Sequence, residues 1–121
     1  MPQDEIRYES VDGVALITID RPAKRNALSG AMCDALHAAW RRFAASDADR
    51  VAILTAAGND VFTAGADLND PPPRFWEAVP NLSVPVPKPI IAAVAGPVVG
   101  GGVTFVAMSD LCVAAENTTF I

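Results

Sequence analysis

Apolar and polar residues alternate near the start of the chain, and this pattern predicts an antiparallel hairpin. Glu5–Ser10 alternates apolar with charged or polar residues, which is typical of a strand with one buried face. The Asp12-Gly13 pair that follows is a strong turn signal, and Val14–Asp20 supplies the partner strand. We therefore expect a hairpin near one edge of a sheet.

The next segment has the spacing of an amphipathic helix. Apolar side chains recur every three to four residues from Met32 to Phe43, with alanines between them. Ser29 is placed to cap the N-terminus of this helix, which is expected to end near Ala45. His37 lies beside the apolar stripe without a candidate nucleophile or orienting partner, so we interpret it as a surface or half-buried residue.

Three continuous apolar runs predict strands that are covered on both faces. The three runs are Val51–Ala56, Ile90–Val94 and Leu111–Ala115.

A short helix is expected over Arg74–Val79, and a buried helix is expected to end near Met108.

Three successive glycines, Gly100 to Gly102, stand between two apolar segments. Glycines at such a place indicate a tight turn or the close approach of another group to the backbone. If a helix begins here, its first amides have no partner within the helix and point outward, where they can bind an anion or an oxyanion. On the glycines alone, a tight strand-to-helix turn without a ligand explains the run equally well.

Composition narrows the class of protein. The 121 residues are 51% hydrophobic and 19% charged, which is typical of a globular chain. The formal net charge of −5 argues against a nucleic-acid binder, and an anionic ligand would need local cations and amides. Cys33 and Cys112 are expected to be buried, reduced thiols. Residues 89–109 carry no charge, but their glycines and prolines favour a strand, a turn and a helix over a membrane span.

Two further motifs give the glycine run a context. Arg21–Leu28 reads RPAKRNAL and Phe62–Leu68 reads FTAGADL. With the glycine run, these motifs resemble the crotonase family (the enoyl-CoA hydratase/isomerase superfamily) in order and approximate spacing, over essentially the whole chain. The resemblance implies an α/β fold, a crotonase-like spiral of ββα turns that stops after roughly the first half. Residues 1–121 would then be the incomplete N-terminal part of one domain.

The resemblance also implies a site. In the family, two backbone amides hold the thioester carbonyl of acyl-CoA, and the matching positions here are Ala66 and Gly101. From the residues alone, Lys24 and Arg25 are interpreted as solvated surface charges, and Asp67 is equally well explained as the cap of a turn. The positions that the resemblance assigns to contacts with substrate or coenzyme A are Ala23, Lys24, Arg25, Ala27, Ala64, Asp67, Leu68, Val99, Gly102 and Thr104.

The sequence departs from the family at the catalytic base. Hydratases of the family carry a glutamate where this chain has Thr104, which favours isomerisation over hydration of an enoyl-CoA. The other family glutamate lies beyond the position of Ile121. The alternative is therefore a non-catalytic acyl-CoA-binding remnant or a structural fragment, and we expect no activity from this chain alone.

The remaining expectations also come from the resemblance. The partner is an acyl-CoA thioester, so coenzyme A enters as part of the substrate, and no permanently bound cofactor or metal is expected. No nucleic-acid or membrane partner is expected. Complete family members form homo-oligomers (trimers or hexamers), and the expected location is cytoplasmic.

Overall fold

The computed structural model describes residues 4–121 and has an α/β architecture built on a mixed five-stranded sheet. The order across this sheet is β1-β2-β3-β4-β6, and β5 and β7 form a separate parallel pair. The β1–β2 pairing is antiparallel and the other pairings in the large sheet are parallel. The elements are β1 (Ile6–Val11), β2 (Val14–Ile19), α1 (Gly30–Ala45), β3 (Val51–Ala56), β4 (Ile90–Val94), β5 (Pro97–Val98), α2 (Gly102–Ala107), β6 (Leu111–Ala114) and β7 (Thr119–Phe120), with short 3-10 helices at Pro22–Lys24 and Phe75–Ala78.

The predicted hairpin is present at the sheet edge. Val11 pairs with Val14, so Asp12 and Gly13 form a two-residue turn. Both turn residues have positive φ, 51° and 84°, which matches the right-handed twist of the flanking strands. An Asp-Gly pair tolerates these angles at low cost, which explains why the turn can be recognised from sequence.

Helix α1 supplies two of the four fully buried aromatic side chains. The Ser29 hydroxyl accepts a hydrogen bond from the Met32 amide at 3.3 Å, which confirms the predicted N-cap. Trp40 and Phe43 are fully buried, and the Trp40 indole donates to the Ala78 carbonyl at 2.8 Å. The apolar stripe of α1 therefore packs on the buried face of the sheet and on the 3-10 helix Phe75–Ala78.

Lys88 closes the C-terminal end of α1. Its Nζ donates to the carbonyls of Phe43, Ser46 and Asp49 at 2.5, 2.8 and 2.7 Å. A cation at this position binds carbonyls at and just beyond the end of the helix and complements the helix dipole.

The prediction that three strands are covered on both faces is wrong in different degrees. β4 alternates between buried and half-buried residues, and β3 does so as far as Leu54, so one face of β4 and most of one face of β3 are buried. β6 is exposed on both faces, and Leu111 and Val113 are 63% and 65% exposed. The physical reason is that the contacts of β6 within residues 4–121 are mainly with β4 in the plane of the sheet, so neither of its faces is covered.

The cysteine prediction is correct for Cys33 and wrong for Cys112. Both are free thiols, but Cys112 is exposed because it lies on β6. The uncharged segment 89–109 is divided among β4, β5 and α2. Within residues 4–121, no helix is both long enough and apolar enough to cross a membrane.

Candidate functional site

Three loops that follow the carboxyl ends of β2, β3 and β4 are hydrogen-bonded to one another. We call them the cation loop (residues 21–28), the alanine loop (63–68) and the glycine loop (97–102). Parallel strands place their carboxyl ends at the same edge of a sheet, which is where ligands bind in many α/β folds.

Backbone hydrogen bonds fix these loops against each other. Two of these hydrogen bonds join the cation loop to the alanine loop in a bridge in which Leu28 lies opposite Ala66. A second bridge joins Thr63 to Val98. The bonds between loops are Leu28 N to Gly65 O (2.8 Å), Asp67 N to Leu28 O (2.9 Å), Ala64 N to Arg25 O (3.1 Å) and Val99 N to Thr63 O (3.1 Å).

Among the backbone amides of residues 64–67, that of Ala66 donates no hydrogen bond to the described residues. The described residues give it no hydrogen-bond acceptor, and Ala66 is exposed. The neighbouring amides all donate hydrogen bonds: Ala64 N donates to Arg25 O, Gly65 N to the Thr63 hydroxyl and Asp67 N to Leu28 O. The loop therefore presents one backbone donor to solvent.

In the glycine run, the Gly101 amide is the donor that has no acceptor among residues 4–121. Gly100 N donates to Ile121 O at 2.9 Å, and Gly102 N donates to Val99 O at 2.9 Å. A Cβ placed on Gly65 would lie 3.8 Å from Gly101 N, so the free amides belong to adjoining segments of backbone.

An aromatic ring lies against Gly101. A Cβ built on Gly101 would be 2.6 Å from Cζ of Phe75, so an alanine here would displace the ring. Phe75 also makes an edge-to-face contact with the buried Phe105, with ring centroids 5.7 Å apart. The surroundings of the Gly101 amide are therefore partly apolar.

The Asp67 carboxylate is engaged within the protein. Its Oδ2 accepts from Nη1 of Arg21 at 2.8 Å, and its Oδ1 accepts from the Asn69 amide at 2.9 Å. Asp67 is 8% exposed, and the same Arg21 nitrogen also donates to the Ala27 carbonyl. The carboxylate caps the turn that follows it and ties the alanine loop to the cation loop.

This pairing predicts an acid-sensitive contribution to stability. The hydrogen bond from Arg21, and less so that from Asn69, lowers the pKa of the Asp67 carboxyl from its ordinary value of 3.8. A lowered pKa in the folded state stabilises the protein above the ordinary pKa, and this stabilisation is lost as the pH falls through the folded-state pKa. Asp67→Asn should therefore be destabilising near neutral pH and progressively less so below about pH 4.

Urea unfolding of the wild type and of Asp67→Asn across this pH range measures the difference. Asp47→Asn, which changes an exposed aspartate, is the matched control and should show no such convergence. A wild-type advantage over Asp67→Asn that stays constant with pH would contradict the prediction.

The structure places the other predicted contact residues around the three loops. Ala23, Lys24 and Arg25 are exposed, and Arg25 borders a cavity of about 300 Å³ with Pro22 and Gly58. Leu68 is 91% exposed. The remaining positions are half-buried or buried: Ala27, Ala64, Val99 and Thr104 are half-buried, and Gly102 is buried.

Sequence reasoning missed Thr63, Asn26 and Phe75. Thr63 and Asn26 are 0% and 1% exposed, and the Asn26 side chain bonds to the Arg21 amide and the Val61 carbonyl. The available signal was their place inside two motifs, directly before the Ala-Gly pair and after the two cations. No local pattern identified Phe75 as the ring beside Gly101.

His37 has a serine neighbour that the sequence did not indicate. Its Nδ1 lies 3.2 Å from the Ser83 hydroxyl and 3.0 Å from the Glu77 carbonyl. A carbonyl requires a hydrogen on Nδ1, so this nitrogen cannot act as a base toward Ser83. Within residues 4–121, no three or more His, Cys, Asp or Glu side chains lie together as metal ligands.

Known proteins are similar to this chain over most of its length. The sequence model of the family described as "Enoyl-CoA hydratase/isomerase" matches residues 9–121. A 4-chlorobenzoyl coenzyme A dehalogenase from Arthrobacter is 34% identical over 96% of this chain and 47% of its own length. A probable enoyl-CoA hydratase from Mycobacterium leprae is 36% identical over 95% of this chain and 49% of its own. The chain thus spans about half the length of the curated relatives it matches.

Solved structures agree with the sequence matches. A carnitinyl-CoA hydratase from Mycobacterium avium superposes with a TM-score of 0.88 at 33% identity, over 98% of this chain and 49% of that one. A probable enoyl-CoA hydratase/isomerase from Mycobacterium abscessus gives 0.85 at 39% identity, over 98% and 48%. The predicted crotonase-like fold, limited to roughly its first half, is confirmed.

Proposed function

Since this chain belongs to the enoyl-CoA hydratase/isomerase family, we propose that it forms the half of an acyl-CoA enzyme that binds the thioester and polarises its carbonyl. The proposed donors are the amides of Ala66 and Gly101. The observation that carries the proposal is that these two amides, on adjoining segments, have no acceptor among residues 4–121.

The proposed chemistry needs only backbone groups at these two positions. When a proton leaves the carbon next to a thioester, negative charge develops on the carbonyl oxygen. Two fixed N–H donors stabilise that charge without reorganising, and the loss of one such donor typically costs about 10²–10³ in rate. Small side chains at positions 66 and 101 leave room for the carbonyl to approach.

We assign double-bond isomerisation of an enoyl-CoA as the reaction of the complete enzyme. Thr104 stands where the hydratases of the family carry a glutamate, and threonine cannot act as a carboxylate base near neutral pH. The names of the relatives include a dehalogenase and hydratases, which act on thioesters in different ways. The reaction is therefore a narrower proposal than binding of the thioester.

A second candidate is an acyl-CoA-binding chain without a catalytic base. One observation favours it for these 121 residues: the carboxylate next to Ala66, that of Asp67, is held by Arg21 and the Asn69 amide. A turnover assay separates the two candidates, and binding of the thioester is common to both.

Removal of one amide hydrogen tests the proposed site. Acetyl-CoA with ¹³C at the thioester carbonyl should show a displaced carbonyl resonance with the wild-type chain. Ala66→Pro lacks the N–H and should abolish most of the displacement, whereas Ala66→Gly keeps it and should preserve the displacement. The proline removes no hydrogen bond among residues 4–121, because the bridge to Leu28 uses the amides of Leu28 and Asp67. A displacement in Ala66→Pro as large as that in the wild type would contradict the proposal.

We also propose that Lys24 and Arg25 bind the phosphates of coenzyme A. They are adjacent exposed cations in an acidic chain. Lys24→Gln with Arg25→Asn should weaken CoA binding about five- to tenfold at low ionic strength, and less at high salt. Asparagine suits position 25, whose φ is 55°.

Calorimetric titration of CoA measures this effect. The double variant Arg41→Gln with Arg50→Gln removes the same charge from exposed positions outside the loops and is the matched control. Equal affinities of the two double variants would show that only net charge matters and would refute a phosphate contact in the cation loop.

A further inference from the structure

Thr63 is fully buried and its hydroxyl makes two hydrogen bonds to different loops. Oγ1 donates to the Asn26 carbonyl of the cation loop at 2.6 Å. It accepts from the Gly65 amide of its own loop at 3.1 Å. Both the donor and the acceptor capacity of the hydroxyl are therefore used inside the protein.

The rest of Thr63 contacts the glycine loop. Its carbonyl accepts from the Val99 amide at 3.1 Å, and Thr63 pairs with Val98 in an isolated bridge. Its methyl group lies against Gly102, where an added Cβ would be 2.5 Å from Cγ2. One side chain and its own peptide thus touch all three loops.

These contacts act on the peptides that carry the two free amides. Gly65 has φ of 91°, and the hydrogen bond from its amide to the Thr63 hydroxyl fixes the segment from which the Ala66 amide projects. Gly102 directly follows Gly101 and contacts the Thr63 methyl group, and the Thr63 carbonyl bonds to the Val99 amide of the same loop. We infer that Thr63 is a positioning residue that holds the Ala66 and Gly101 amides in a common orientation. This inference rests on the proposed function of those amides.

Two substitutions separate the hydroxyl from the methyl group. Thr63→Val has nearly the same shape but cannot bond to Asn26 or Gly65. Thr63→Ser keeps the hydroxyl and removes the methyl group. Thr55→Val is the matched control, because the Thr55 hydroxyl also donates to a backbone carbonyl, that of Ala93 at 2.8 Å, within the sheet.

Hydrogen exchange of the Gly65 amide tests whether Thr63 holds the alanine loop, without any ligand. In Thr63→Val this amide should exchange about fivefold faster, because a lost hydrogen bond is worth about 1 kcal/mol. Thr63→Ser and Thr55→Val should exchange at the wild-type rate, as should amides in α1 of all variants. A wild-type rate for Gly65 in Thr63→Val would overturn the inference.

The ¹³C resonance of thioester-labelled acetyl-CoA gives a readout that a merely structural role would not move. Thr63→Val should lose most of the wild-type displacement, while Thr63→Ser and Thr55→Val should retain it. If folded Thr63→Val keeps the full displacement, the positioning role is refuted and the proposed function stands. If the wild type shows no displacement, the proposed function fails, and Gly65 exchange still decides whether Thr63 fixes the loop. If Thr63→Val does not fold, Thr63→Ser decides: a retained displacement supports positioning by the hydroxyl, and its loss refutes it, because the hydroxyl is then not sufficient.

Discussion

Gly96→Ala is expected to lower the free energy of unfolding by about 3 kcal/mol or more, from left-handed backbone strain and overpacking together. Gly96 is buried and has φ of 77°. An added Cβ would lie 2.4 Å from Asp60 O and 2.8 Å from Val61 N. Both are backbone atoms, so no side-chain rotation can relieve the contact.

Gly58→Ala separates the two causes. Gly58 has φ of 79°, but nothing lies within 4 Å of an added Cβ. This control should cost only the backbone strain, about 1 kcal/mol. Urea unfolding monitored by tryptophan fluorescence measures both variants. Equal losses of stability would show that the backbone of residues 60–61 yields to the methyl group.

The 121-residue chain on its own is expected neither to hydrate crotonyl-CoA nor to isomerise a 3-enoyl-CoA. Proton transfer at carbon needs a positioned base, which supplies about 10²–10⁴ in rate. Position 104 is a threonine, and the Asp67 carboxylate is bound by Arg21. Glu77, another carboxylate in the chain, is paired with Arg74 at 3.2 Å.

A spectrophotometric assay on material of confirmed intact mass tests this expectation. Ala66→Pro, purified in the same way, serves as the control for contaminating host enzymes, since contamination is indifferent to the substitution. Turnover near that of complete family enzymes, present in the wild type and absent in Ala66→Pro, would contradict the prediction. It would mean that Asp67, Asp70 or Glu77 acts as the base.

Local patterns predicted the elements well where local chemistry determines them. The hairpin at Asp12-Gly13 follows from two residues that accept positive φ, and the start of α1 follows from the Ser29 cap. The apolar runs of β3 and β4 begin and end at the predicted residues. For the hairpin and the helix start, the decisive interactions lie within a few positions of one another, whereas the two strands were recognised from continuous apolar runs.

Contacts between distant segments could not be predicted from residue patterns. The Thr63 hydroxyl meets Asn26 across 37 positions, and Arg21 meets Asp67 across 46. The resemblance named the segments that form the site but not the side chains that join them. The burial of β6 was also mispredicted, because an apolar sequence reports a tendency to be covered and not the presence of a covering element.

The strand order has a consequence for synthesis of the chain. Each strand of the large sheet pairs with the strand of that sheet that precedes it in sequence, from β1 through β6. On a ribosome, every newly emerged strand of this sheet therefore meets a partner edge that has already been made, and within residues 4–121 no later segment inserts between earlier strands. The sheet can therefore form strand by strand in one direction, from β1 to β6.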